Sequence, residues 1–130
     1  MEFHPISEDL DVIGRKIVDS AFRVHNAMGP GLLESVYEEC MIHDLKSKGL
    51  RVASQLDVPI DYFGNSLKSK LRLDMLVEGE IIIELKSVER MIPLYESQML
   101  TYLKLSRKRL GYLINFNVQL IKDGIKRMAL

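Results

Sequence analysis

Apolar and polar positions change their period three times along this 130-residue chain. Leu10, Ile13, Ile17, Ala21, Val24 and Met28 recur at spacings of three and four, which aligns them on one face of a helix. Ser7 precedes this run, where a side-chain oxygen caps a first turn, and Gly29-Pro30-Gly31 ends it. Leu33, Val36, Tyr37, Cys40, Met41 and Leu45 make a second stripe. They predict a helix from near Leu32 to about Lys48, with Gly49 as its natural C-cap. From Leu50 to Ser87 the period shortens to that of strands. Val52 to Ile60 with Tyr62 reads as one strand, or as two broken near Pro59. Gly64 with Asn65-Ser66 marks a turn, and Lys68 to Val77 and Ile81 to Val88 are further strands. Ile81-Ile82-Ile83 lacks polar alternation, as expected of a central strand covered on both faces. Pro93 suits the first turn of a third helix that reaches about Ser106, with Tyr95, Met99, Tyr102 and Leu103 as its core stripe. Leu110 to Phe116 reads as another buried strand. Val118 to Ile121 and Ile125 to Leu130 read as a closing hairpin around Asp123-Gly124.

Helix, helix, three or four strands, helix and two strands predict a mixed α/β (α+β) domain with a central sheet flanked by helices. The crossover from Glu84 through the third helix to Tyr112 is expected to join parallel strands with a right-handed turn. The length suits one domain spanning residues 1–130.

Three charged residues interrupt the most apolar hairpin: Asp74 on one strand, Glu84 and Lys86 on the other. Glu84 and Lys86 are two apart and share a face. The loop decides whether Asp74 joins them. A two-residue turn at Glu78-Gly79 sets Asp74 opposite Ile83. A three-residue loop, Glu78 to Glu80, pairs Val77 with Ile81 and Asp74 with Glu84. Three-residue loops commonly place a glycine in the left-handed region, and Gly79 favours the odd loop. Two carboxylates and an ammonium then converge, as a divalent-metal site with an adjacent cation requires. An edge hairpin with a solvated charged face and a surface salt bridge fits the same pattern.

Charge adds a local asymmetry. The formal net charge is zero, yet residues 100–130 hold Lys104, Arg107, Lys108, Arg109, Lys122, Lys126 and Arg127 against a single acid, Asp123. Such a stretch suits either a phosphate-binding surface or a solvated face. No run of about 18 apolar residues exists, so no membrane span is expected. The opening Met1-Glu2-Phe3-His4-Pro5 lacks the regions of a secretion signal. The one cysteine, Cys40, has no internal partner and lies on a helical stripe, as a core residue does. A reducing, cytoplasmic setting is therefore expected. A glycine-rich phosphate loop, a Ser-His-Asp frame and a structural zinc set are all missing from the sequence.

The residues also carry a family resemblance. Gly31-Leu32-Leu33-Glu34-Ser35-Val36-Tyr37 matches the motif of the GxxExxY proteins. Asp74 with Glu84-Leu85-Lys86 resembles the D…ExK signature of the PD-(D/E)xK nuclease superfamily. Gln98-Met99-Leu100-Thr101-Tyr102 resembles the QxxxY motif of its RecB-like branch. The three motifs occur in the expected order within a resemblance running from about Val24 to Arg127.

The resemblance implies a restriction-endonuclease-like fold and a Mg²⁺- or Mn²⁺-dependent phosphodiesterase acting on DNA. It implies Asp74, Glu84 and the Leu85 carbonyl as metal ligands, with Glu34 as support for the metal site. Lys86 would activate or orient water, and Gln98 and Tyr102 would face the active site, contacting DNA or holding the catalytic strand. Glu34 also suits the start of its helix electrostatically, and Glu38 one turn on is a weaker candidate. Tyr37 is expected in the core with its hydroxyl bonded. His25 is expected as a helix-end cap before a metal ligand, His4 and His43 at the surface, and Arg72 on phosphate or on a carboxylate. Superfamily members can lose activity. A catalytically inactive module binding nucleic acid or a protein partner is therefore the second expectation, and a homodimer completing the DNA groove the third.

Overall fold

The computed structural model describes residues 5–130; His4 lies outside them. Helix α1 (Glu8–Met28) begins where expected, with the Ser7 side chain accepting the Leu10 N–H at 3.2 Å. It ends at Gly29, whose φ of 75° is readily accessible only to glycine. Helix α2 (Glu34–Ser47) starts later than the periodicity suggested. Leu33 is its N-cap and is 74% exposed, so it leaves the core stripe that Tyr37, Met41 and Leu45 fill. Nothing in the leucine side chain can hold the first turn, and no side-chain cap bond forms.

Strands β1 (Val52–Tyr62) and β2 (Asn65–Val77) form a long antiparallel hairpin. Its turn falls at Phe63-Gly64, so Asn65-Ser66 already belongs to β2. β1 stays one strand, with an irregularity between Pro59 and Asp61 instead of a break. β3 (Ile81–Lys86) follows the three-residue loop Glu78 to Glu80. Val77 pairs with Ile81 as the odd loop requires, and Glu78 and Gly79 take φ of 53° and 67°. Helix α3 (Pro93–Ser106) crosses to β4 (Leu110–Asn115), which pairs parallel with β3. β5 (Ile125–Ala129) closes a five-stranded mixed sheet of order β1-β2-β3-β4-β5.

The expected hairpin arm at Val118 to Ile121 does not form. Ile121–Asp123 is a 3-10 turn, and β5 pairs with β4 directly. The turn packs so tightly that a Cβ on Gly124 would strike the Asn115 carbonyl oxygen. The glycine carbonyl itself accepts the Asn115 N–H at 2.8 Å.

Apolar side chains leave the sheet on both sides. Ile17, Val24, Tyr37, Met41 and Leu45 of α1 and α2 cover one face with Met75, Ile81, Ile83, Leu85 and Ile114. Met99 and Leu103 of α3 cover the other with Leu71, Leu73, Ile82 and Leu113. Ile81, Ile82 and Ile83 are fully buried, each worth about 1.5–3 kcal/mol. β3 is thus the central strand that its unbroken apolar run predicted. The mixed α+β fold, with two leading helices and a mixed sheet, is as expected from the sequence.

Candidate active site

β2 and β3 pair over three residue pairs only, Val77 with Ile81, Leu76 with Ile82 and Met75 with Ile83. The next position in this register is Asp74 opposite Glu84, and there the backbone ladder ends. The Leu85 N–H donates instead to Asp74 Oδ2 at 2.9 Å. Ladder N–H groups lie in the sheet plane, so the Asp74 carboxylate must lie in that plane too, between the two strands. The N–H and C=O of one strand residue point the same way, which turns the Leu85 carbonyl toward the same gap.

Glu84 and Lys86 project from β3 onto the α3 face, alongside Ile82. Glu84 is 6% exposed, and its Oε1 has no hydrogen-bond partner. Burial pushes its pKa up to about 9; the Asp74 carboxyl, hydrogen-bonded to it and of like charge, adds to the rise. A backbone bond at Asp74 and the Lys86 charge oppose the rise without cancelling it. Two acids therefore face each other, Glu84 buried and Asp74 half-buried. That arrangement is costly unless a proton or a cation joins them. The Lys86 ammonium lies 4.4 Å from the centre of the Tyr95 ring on α3, a cation–π distance.

The β3 exit is clamped from three sides. Phe116 N–H donates to the Lys86 carbonyl at 3.0 Å. Asn115, 2% exposed, accepts from Val88 N–H at 3.1 Å and donates to the Val88 carbonyl at 3.0 Å. Ser87 hydroxyl donates to the Leu32 carbonyl at 2.5 Å, and Ser87 N–H to Glu34 Oε1 at 3.3 Å. Asn115 was not singled out from the sequence. Its place at the end of an apolar strand run, before Phe116, was the available signal, since a buried amide must find partners.

Glu34 thus reaches the end of β3 from the first turn of α2. Among the described residues, however, no three His, Cys, Asp or Glu side chains gather closely enough to hold a metal ion. Asp74 and Glu84 meet; Glu34 stands apart from them. Tyr102 on α3 joins the acid pair. Its hydroxyl pKa is raised by burial first, then by the charges of Glu84 and Asp74. Gln98 is half-buried one helical turn away on α3.

The other candidates lie elsewhere. His25 is held in the core, its Nε2 2.7 Å from the Val118 carbonyl oxygen and its ring beside Phe116. His43 is exposed. Tyr37 is fully buried; its hydroxyl donates to the Gly29 carbonyl at 2.6 Å and accepts the Leu32 N–H at 3.1 Å. Arg72 pairs with Asp57 at 3.1 Å, so it takes the carboxylate option. Cys40 is half-buried at the edge of the core. Within the basic C-terminal stretch, Lys126 pairs with Glu96, Arg127 with Asp11, and Arg109 Nε with the Leu130 carbonyl.

Gln55 is a residue that the sequence did not flag. It stands across from Asp74 in the β1–β2 register, with φ of 48°. Its Nε2 donates to Glu38 Oε1 at 3.0 Å, so the second acid of α2 braces β1.

The fold is thus a five-stranded mixed sheet with two acids meeting at the splayed end of its central strands and a lysine two residues on. The PD-(D/E)XK nuclease superfamily matches residues 11–128, and the chain belongs to it. Comparison with curated proteins and with solved structures gives no match. Members of this superfamily generally use divalent metals, and membership implies a nucleic-acid substrate. Among the described residues no helix is long and apolar enough to cross a membrane.

Proposed function

We propose that the protein is a Mg²⁺- or Mn²⁺-dependent nuclease that hydrolyses DNA phosphodiester bonds. The observation that carries this reading is the partnerless Oε1 of buried Glu84 beside the Asp74 carboxyl. A hard divalent cation suits such an oxygen pair. Asp74, Glu84 and the Leu85 carbonyl would hold the ion, with Glu34 as a further carboxylate at the helix start. The ion supplies an acidified water and a counter-charge to the phosphate.

Lys86, two residues beyond Glu84 on the same face, orients the attacking water and offsets negative charge that grows on the phosphate oxygens. Its resting place over the Tyr95 ring keeps the ammonium near the acids without an ion pair to break. Tyr102 and Gln98 line the α3 side of the cleft, where they hold β3 or touch the nucleic acid. The Gly31–Tyr37 and Gln98–Tyr102 motifs support a GxxExxY-type, RecB-like relationship.

The purified protein is to be incubated with linear, circular and single-stranded DNA plus Mg²⁺ or Mn²⁺, beside Lys86→Ala and Asp74→Ala. Metal-dependent cleavage by the parent and its loss in both variants are expected. Cleavage indistinguishable from the variants overturns the reading. One observation favours a second reading, a nuclease-fold module that binds nucleic acid without cutting it: Glu34 is tied to Ser87 and stands apart from the acid pair. Such a module would bind DNA equally well with Asp74→Ala and without divalent metal.

A further inference from the structure

Both strands of the long hairpin change faces at one point. Along a regular strand, residues two apart share a face. Leu71 and Leu73 pack with Met99 and Leu103 on the α3 side, yet Met75 and Val77 pack on the α1–α2 side. β1 does the same: Val52 lies with the α1–α2 cluster, Val58 and Ile60 with the α3 cluster. The inversion falls between Leu73 and Met75 on β2 and, in register, between Ser54 and Leu56 on β1. Gln55 and Asp74 are the two residues at that point. No residue is inserted, because Ser54 pairs with Met75 and Leu56 with Leu73 on either side.

Only one of the two residues adopts the left-handed region. Gln55 has φ of 48°, and Asp74 does not depart from negative φ. A non-glycine residue at such an angle inside a strand stores strain, which persists only when its surroundings enforce it. Here α2 contributes, through the Glu38 bond to the Gln55 amide. The consequence falls on Asp74. A residue at the point of inversion points neither up nor down from the sheet, which is how its carboxylate lies in the plane to accept the Leu85 N–H.

We propose that Gln55 is a positioning residue for Asp74. Its left-handed backbone, braced by Glu38, lets β1 and β2 invert together and turns the Asp74 carboxylate beside Glu84 for cation binding. The cation part rests on the nuclease reading; the geometric part does not.

The test uses backbone tolerance in place of bulk. Gly and Asn adopt positive φ readily, Ala reluctantly, and the β-branched Val least. Two readouts are taken on folded Gln55→Gly, Gln55→Asn, Gln55→Ala and Gln55→Val, checked by circular dichroism. Hydrogen exchange at the Leu85 amide reports the bond to Asp74 without metal or DNA. Mn²⁺ titration by calorimetry, with Asp74→Ala as reference, reports the cation site. Gly and Asn are expected to keep Leu85 protection and to bind Mn²⁺ close to the parent, whereas Ala and Val lose protection. Their Mn²⁺ affinity falls about 10- to 100-fold, as for a lost supporting partner.

Should Val not fold, the contrast of Gly and Asn with Ala carries the test. Equal Leu85 protection across the series overturns the proposal. If the parent binds no Mn²⁺ while the Leu85 series behaves as expected, the cation reading falls and the positioning of Asp74 stands.

Discussion

Among the described residues two acids are buried, and their surroundings differ in sign. Asp44 on α2 is 9% exposed and faces cations: Arg23 Nε of α1 at 3.0 Å and Lys48 Nζ at 3.4 Å. Its Oδ2 forms no hydrogen bond, yet the Lys48 ammonium lies against it. Glu84 on β3 is buried as deeply and faces another acid. Its Oε1 has no partner, and among the described residues no lysine, arginine or histidine nitrogen lies within 4 Å of its carboxylate. The α1–α2 layer thus neutralises its buried charge from its own sequence. The splayed end of β2 and β3 sets no such ion pair on Glu84, whose raised pKa leaves the acid holding its proton at neutral pH. Buried polarity alone does not single out a site; the sign of the neighbours does.

The sharpest way to break this contrast is to remove each acid in turn. Asp74→Ala, Glu84→Ala and Lys86→Ala are each expected to lower metal-dependent DNA cleavage by about 10²- to 10³-fold or more, read as initial rates on linear DNA. Asp44→Ala is expected to leave the cleavage rate per folded molecule unchanged. Instead it removes the ion pairs to Arg23 and Lys48 at the helix interface, costing about 1–3 kcal/mol in urea unfolding, while Lys48 keeps its bonds to the Lys16 carbonyl and Ser20 hydroxyl. Equal loss of cleavage from Asp44→Ala and Glu84→Ala would erase the distinction.

The pH dependence of stability sharpens the comparison further. The Glu84 pKa is about 9 in the folded protein against 4.5 for an ordinary glutamate. The folded state therefore binds the extra proton, and the resulting stability is fully present below pH 4.5 and lost as pH rises toward 9. The melting temperature of metal-free protein should fall across that window. Glu84→Gln should flatten the fall, and Mn²⁺ should oppose it most strongly at the alkaline end, because the ion takes the deprotonated carboxylate.

A smaller effect is expected at Tyr37. Tyr37→Phe strands the Gly29 carbonyl and the Leu32 N–H and should cost about 1 kcal/mol in the same unfolding experiment. The smallest belongs to Arg72, whose pair with Asp57 is exposed on both sides. Arg72→Ala should change stability by less than about 1 kcal/mol.

Much of this arrangement is legible in the residues. Ser7 and Gly29 bracket α1 because capping is a local property. Gly79 selects the three-residue loop, and the register that sets Asp74 across from Glu84 follows by counting. Three features were not legible. Leu33 looked like core because its spacing fits the α2 stripe, but the helix starts only after the bend at Gly31, and it is left outside. Val118 to Ile121 has strand composition, yet the tight packing of Gly124 on Asn115 holds a 3-10 turn there. Gln55 gave no signal, because nothing local marks a glutamine for positive φ. Its conformation is set by α2 and by the face inversion of two strands, both distant in sequence. Of the proposed metal ligands, Asp74 and Glu84 come together, while Glu34, read from its motif, stands near Ser87.

The hydroxyl of Tyr37 spans the Gly-Pro-Gly corner, touching the chain on both sides of it, and its ring stacks 4.5 Å from Phe116. Of the motif's three fixed letters, then, Gly31 and Tyr37 shape a bend and Glu34 holds the Ser87 N–H at the end of β3. A relative without catalytic activity would still need the corner. Gly31 and Tyr37 thus record a shape at the bend, some forty residues upstream of Asp74, where the proposed chemistry is to be tested.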